Sequence, residues 1–194
     1  MAQEHDNVGP IEAATAEDSR PLPAESLWDI LQAPADALYV VLLRHALAPG
    51  IGDPADFTLG DCSTQRNLSA DGRAQARQIG QLLRQRHIVV RELLSSQWCR
   101  CRETAELLSI GDPQPFPLLN SFFREPGKAA SQTAGVRQYL LSRAAAPGVI
   151  IMVTHQVNIT ALTGVVPLSG EAVVLKLDSS GMTRVGELRF TPEG

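Results

Sequence analysis

The sequence is short of several things. Basic residues are outnumbered, 17 Lys and Arg against 21 Asp and Glu, for a net charge of −4. That leaves no cationic footprint of the kind nucleic acid selects. No apolar run approaches the roughly 18–20 residues a membrane helix needs. Aromatic residues make up 5% of the chain and cysteines number three. An odd cysteine cannot pair within one chain, so a disulfide framework is not expected, and a reducing, cytoplasmic setting is. The first thirty residues are acidic and lack the basic-then-apolar order of a secretory signal.

What is present suits one ordinary domain. The 194 residues are 44% apolar, enough to bury a full core. Residues 1–24 are rich in Ala, Glu, Asp and Pro without periodicity, which predicts a flexible tail, with a single domain over 25–194. Ser26 stands as a possible cap before "LWDILQA", a short helix that would lay Leu27, Trp28 and Leu31 on the domain. From Leu38 onward strands and helices alternate. Leu38–Leu43 is a continuous apolar run, the mark of a strand covered on both faces. A capped helical stripe follows, with Ala76, Ile79, Leu82 and Leu83 on one side. "IVVRELLSS" reads as a strand, "RCRETAELLS" and "TAGVRQYLLSRAA" as helices, and "VIIMV" as a second strongly apolar strand. "NITALTG" is a helix closed by Gly164, and "EAVVLKL" and "TRVGELRF" form a terminal hairpin. The order predicts an α/β three-layer sandwich whose central sheet is mostly parallel with an antiparallel edge.

Three apolar strands stop abruptly on polar groups. One ends at Arg44-His45, one at Thr154-His155, and one runs through Ser95-Ser96 into a turn that delivers Arg100 at a helix start. In a parallel sheet the carboxyl ends of strands share one rim, and ligands bind there. Arginine forks match phosphate oxygens, and a neutral imidazole among them can attack phosphorus.

Four segments carrying these residues resemble the histidine phosphatase superfamily, the branch with phosphoglycerate mutases and SixA-type phosphohistidine phosphatases. "LLRHALAPG" is similar to its Arg-His-Gly signature, with Ala46 in place of the glycine. "RNLSADGRAQARQIG", "LLSSQWCRCRETAELL" and "VIIMVTHQVNITALTG" are similar to its later segments, in order, over about residues 38–177. The resemblance implies a phosphoglycerate mutase-like fold and a metal-independent phosphatase without cofactor. His45 would be the nucleophile, and Arg44, Arg100 and His155 would hold the phosphoryl group. Arg66 is a further pocket residue. The family's acid position falls on Ser121, so Glu125 and Asp61 are the available proton donors. The implied substrate is a phosphorylated small molecule or a phosphohistidine protein, with no nucleic acid or membrane partner. A domain that binds phosphate without turnover is the alternative. His5 and His87 lie apart from the four segments, and no histidine shows metal-ligand spacing. Cys99 and Cys101 bracket Arg100 and Cys62 precedes Arg66; small buried residues, a redox switch near the pocket, and a weakly supported zinc site are the open readings.

Overall fold

In the computed structural model the described residues are 21–35 and 37–190. A six-stranded sheet forms the centre, in the order β3-β2-β4-β1-β5-β6. Its strands are β1 (Leu38–Arg44), β2 (Val90–Ser95), β3 (Gln114–Pro115), β4 (Gly148–Thr154), β5 (Ala172–Asp178) and β6 (Gly181–Leu188). Strands β1 to β4 run parallel, whereas β5 is antiparallel to β1 and pairs with β6 as a hairpin. The expected architecture is therefore the observed one.

Alternation along β1 explains its unbroken apolar run. Tyr39, Val41 and Leu43 face one core, and Leu38, Val40 and Leu42 face the other. The first core is covered by α1 (Ala24–Gln32), α2 (Ala70–Gln85) and α3 (Cys99–Leu108), through residues such as Leu27, Ile79 and Leu108. The second is covered by α4 (Ala129–Arg143) and α5 (Gln156–Thr163), through Leu140 and Ile159. A strand with helices on both sides has no solvent face on which to place a polar residue. Gly164 closes α5 with φ +78°, the left-handed stop its sequence predicts.

Three local expectations change. Ser26 is not the cap of α1; the helix starts at Ala24 behind Pro23, whose fixed φ suits the entry to a helix, and Ser26 falls in the first turn. Leu27, Trp28 and Leu31 are buried as expected. Of residues 1–24, those up to 20 lie outside the described residues, while the Leu22 N–H donates to the Val185 carbonyl of β6 at 2.8 Å. Third, Cys62 and Cys99 form a disulfide, with Cα atoms 5.7 Å apart. The odd residue, Cys101, is buried as a free thiol. That pairing corrects the expectation of no disulfide, from which the reducing setting was inferred. No helix among the described residues is long and apolar enough to cross a membrane.

Candidate active site

Strand register creates the site. Arg44 pairs with Thr154 across the parallel β1–β4 ladder, so the next residues on each strand, His45 and His155, come side by side. The His45 N–H donates to the Thr154 carbonyl at 2.9 Å, and the imidazole centroids are 5.5 Å apart. Ser96, one residue past β2, brings its hydroxyl to His155. Arg100 enters from the first turn of α3 and is 3% exposed. Sequence-distant strand ends thus meet on one rim, as the three abrupt stops predict.

The hydrogen bonds fix both tautomers. The Ala46 carbonyl can only accept, so His45 carries its proton on Nδ1 and donates it there at 2.8 Å. Nε2 is left with its lone pair, which meets the Arg100 Nε–H at 3.3 Å. Arginine can only donate, so the Arg100 Nη2 contact at 3.4 Å makes Nδ1 of His155 an acceptor. Its proton is then on Nε2, which donates to Ser96 Oγ at 2.9 Å, and Ser96 donates onward to Asn120 Oδ1 at 3.3 Å. Burial, and next the charge of Arg100, lower the His45 pKa to about 3. The same two causes, in the same order, hold His155 well below the usual histidine value. Both rings are neutral near pH 7.

Ala46 replaces glycine without backbone strain. Among the described residues the non-glycine residues with positive φ are His87 and Ser109, and Ala46 is fully buried with its N–H on Thr104 Oγ1 at 3.1 Å. The loop after it is pinned by Gly72 of α2, where a Cβ would come within 2.0 Å of the Leu47 carbonyl oxygen.

The site's main surprise is Asp53. Its carboxylate takes Nη1 and Nη2 of Arg100 at 2.7 and 3.2 Å, the Trp98 indole N–H at 3.1 Å and the Arg66 backbone N–H at 3.1 Å. Burial opposes its charge, but the Arg100 hydrogen bonds and charge outweigh it and hold the carboxyl below its ordinary range. Arg100 also reaches the Arg66 carbonyl at 3.3 Å. Every N–H of its guanidinium therefore has a protein partner, and Arg100 positions both imidazoles and the Asp53 loop at once. Asp53 is not legible in the sequence as a site residue, since a single loop acid carries no pattern; the long Gly- and Pro-rich connection after His45 is the available signal.

A cavity of about 320 Å³ opens over these groups. Arg44, His45, Arg66, Arg100 and His155 all line it, together with Asp53, Arg124, Ser121, Glu125 and the first residues of α5. Arg44 holds the Pro167 carbonyl through Nη1 at 2.9 Å, while its buried Nε has no partner. Arg66 is engaged with the Gly52 and Ala48 carbonyls. Arg124, also missed by sequence reasoning, bonds the Asp53 carbonyl. Four arginines against two carboxylates leave the lining with a surplus of two positive charges, which matches a phosphate monoester dianion.

The proton-donor candidates separate. Glu125 lines the cavity and its exposed carboxylate pairs with Lys128. Asp61 is not among the lining residues; it caps the short helix Cys62–Thr64 by accepting from Ser63, and those bonds lower its pKa. Ser121 lines the cavity, its hydroxyl accepting from the Phe123 N–H at 3.3 Å. The cysteines divide as well. Cys99 is tied to Cys62, and the Cys101 sulfur lies 3.5 Å from His155 Nε2, its thiol pushed up to about 12 by burial. They do not converge as a zinc-ligand set, and no group of three His, Cys, Asp or Glu among the described residues is arranged to hold a metal.

Part of the sequence and the overall fold have counterparts among known proteins. The family model of the histidine phosphatase superfamily (branch 1) matches residues 40–120. No curated protein matches the chain by sequence. Among solved structures, the protein histidine phosphatase SixA complexed with tungstate superimposes with a TM-score of 0.56 at 16% identity, over 78% of this chain and 97% of that one. Phosphoserine phosphatase from Entamoeba histolytica, in complex with 3-phosphoglyceric acid, gives 0.57 at 13% identity over 78% and 97%. The mycobacterial glucosyl-3-phosphoglycerate phosphatase gives 0.56 at 16% identity over 76% and 96%. At such identities the likeness is one of fold. Residues 40–120, which carry Arg44, His45, Arg66 and Arg100, match the histidine phosphatase superfamily, branch 1, and the domain shares its fold with these solved phosphatase structures.

Proposed function

We propose that the chain is a phosphatase that hydrolyses a phosphomonoester or phosphoramidate through a phosphohistidine on His45, without a metal. One observation carries the reading. The His45 ring is neutral, oriented by Nδ1–H on the Ala46 carbonyl, with its Nε2 lone pair at a cavity walled by arginines. That is the protonation state and aim an attacking nitrogen requires.

In the first step the Nε2 lone pair forms a bond to phosphorus as the bond to the leaving oxygen or nitrogen breaks. The leaving group keeps the electron pair and takes a proton. Arg44, Arg66 and the start of α5 hold the phosphoryl oxygens, with Arg100 and His155 completing the wall, so charge developing on those oxygens meets fixed donors. In the second step water attacks phosphorus, the N–P bond breaks, and its electrons return to Nε2. Glu125 is the carboxyl at the cavity lip for the proton transfers. Asp53 is unsuited, since Arg100 keeps it ionised. The substrate is a phosphorylated small molecule or a phosphohistidine protein, the two kinds of target that the neighbours' names contain.

A second reading, a phosphate-binding domain without turnover, has one observation in its favour. The Arg100 Nε–H lies against the same His45 lone pair that must attack. Variant kinetics distinguish the two. His45→Ala should abolish hydrolysis of p-nitrophenyl phosphate, and Arg100→Ala should lower kcat/KM by roughly 10²–10³. Undiminished turnover in His45→Ala would contradict the proposal.

A further inference from the structure

Beyond the arginines the cavity wall changes character. Ile51, Phe57, Trp98 and Phe123 line it. The Phe57 ring stacks on the Trp98 indole at 4.9 Å between centroids and 18° between planes. Asp53 holds the indole by its N–H, which fixes the ring by its polar edge. Ile51 is 91% exposed and Phe123 57% exposed, so two large apolar side chains stand in water at the lip of one cavity. The loops carrying them meet there. A Cβ on Gly52 would lie 3.7 Å from the Phe123 ring, and Arg124 bonds the Asp53 carbonyl. Single exposed apolar residues are ordinary, but four gathered along one wall form a binding surface.

We propose that the substrate is a small phosphomonoester whose organic part is apolar, with an aryl or compact hydrocarbon group seated against Ile51, Phe57, Trp98 and Phe123. This rests on the phosphatase reading of His45, which supplies the phosphoryl end. The volume of about 320 Å³ is at the small end for ligand pockets and must hold the phosphoryl group too, which suits a small molecule. A sugar phosphate would press its hydroxyls against hydrocarbon and leave them without partners, a cost that selects against it.

Phosphonates test the wall apart from the chemistry, since their carbon–phosphorus bond is not hydrolysed. Titrations of the full chain with benzylphosphonate and methylphosphonate, followed by calorimetry and by tryptophan fluorescence, to which Trp28 and Trp98 both contribute, compare an apolar group with almost none. The wild-type protein should bind benzylphosphonate about tenfold more tightly, the scale set by burying one ring face. Phe123→Ala and, separately, Ile51→Ser should each reduce that ratio to about threefold or less. Both side chains are exposed, so neither change removes core. Equal affinity for the two phosphonates in the wild type, or a ratio unmoved in both variants, would overturn the inference. The preference without turnover of p-nitrophenyl phosphate would support the apolar wall and refute the phosphatase reading; turnover without the preference would do the reverse.

Discussion

At the scale of residues, the two buried imidazoles make stability depend on pH. In the unfolded chain a histidine takes a proton near pH 6.5, whereas in the fold His45 takes one only near 3 and His155 well below 6.5. Below pH 6.5 the unfolded state therefore binds more protons, and stability falls as pH falls, by about 1.4 kcal/mol per pH unit for each ring. Urea unfolding between pH 7 and pH 5 should show that decline, and His45→Asn should remove about half of it. Identical slopes in the two proteins would contradict the burial of a neutral His45. Asp53, whose folded pKa is also lowered, acts in the same sense but at lower pH. Its stabilisation is present above the ordinary carboxylate range and is lost only as the lowered pKa is crossed. Asp53→Ala at neutral pH leaves the Arg100 charge buried without its partner and should destabilise by about 3 kcal/mol. Inorganic phosphate should then raise the melting temperature of the variant more than that of the wild type, since the anion meets an uncompensated cation.

At the scale of elements, the disulfide is the tether to examine. It joins the short helix Cys62–Thr64 to the first residue of α3, 37 positions away. The chain between Ala46 and Arg66 carries Asp53 and Phe57, and Gln65 also accepts from the Cys99 N–H at 3.0 Å. Closing a loop of that length contributes roughly 3–4 kcal/mol by restricting the unfolded chain. Cys62 is exposed, so a thiol reductant can reach it. Reduction, or the paired change Cys62→Ser with Cys99→Ser, should lower the melting temperature on the order of 10 °C. An unchanged melting curve would show that the loop is held without the bond. Elements differ in how plainly the sequence announces them. Leu38–Leu43 and 149–153 are readable because burial on both faces forces apolar residues at every position. Strand β3 is not, being two residues long and half proline. The start of α1 was obscured because Pro23 and Ser26 compete as entry signals and only the backbone decides between them.

At the scale of the molecule, the site is a product of register and layering. Arg44, His45 and His155 were visible because each lies where an apolar run stops, and Arg100 because it opens a helix just after the run that ends at Ser95-Ser96; the parallel β1–β4 pairing brings His45 to His155. Asp53, Arg124 and the Cys62–Cys99 pair were not visible, because each depends on a loop returning across the rim to a partner dozens of residues away. The layer beneath β1, β5 and β6 also depends on α1, whose Leu27 and Leu31 are fully buried and whose Trp28 ring meets Phe190 edge-on at 5.7 Å. Leu27→Ala should cost about 2–5 kcal/mol in chemical unfolding while leaving kcat/KM within a factor of about two, since the change is a core cavity. A loss of activity at unchanged stability would place α1 in the site rather than in the core.

The most direct test of the central claim is to look for the covalent intermediate. Wild-type protein is mixed with p-nitrophenyl phosphate, quenched in alkali within milliseconds to seconds, digested, and read by mass spectrometry for added phosphate. The account predicts phosphate on His45 that is labile to acid and stable to base, absent in His45→Ala and absent when substrate is omitted. Steady hydrolysis by the wild type with no phosphate on His45 at any quench time, or with phosphate on another residue, would contradict it.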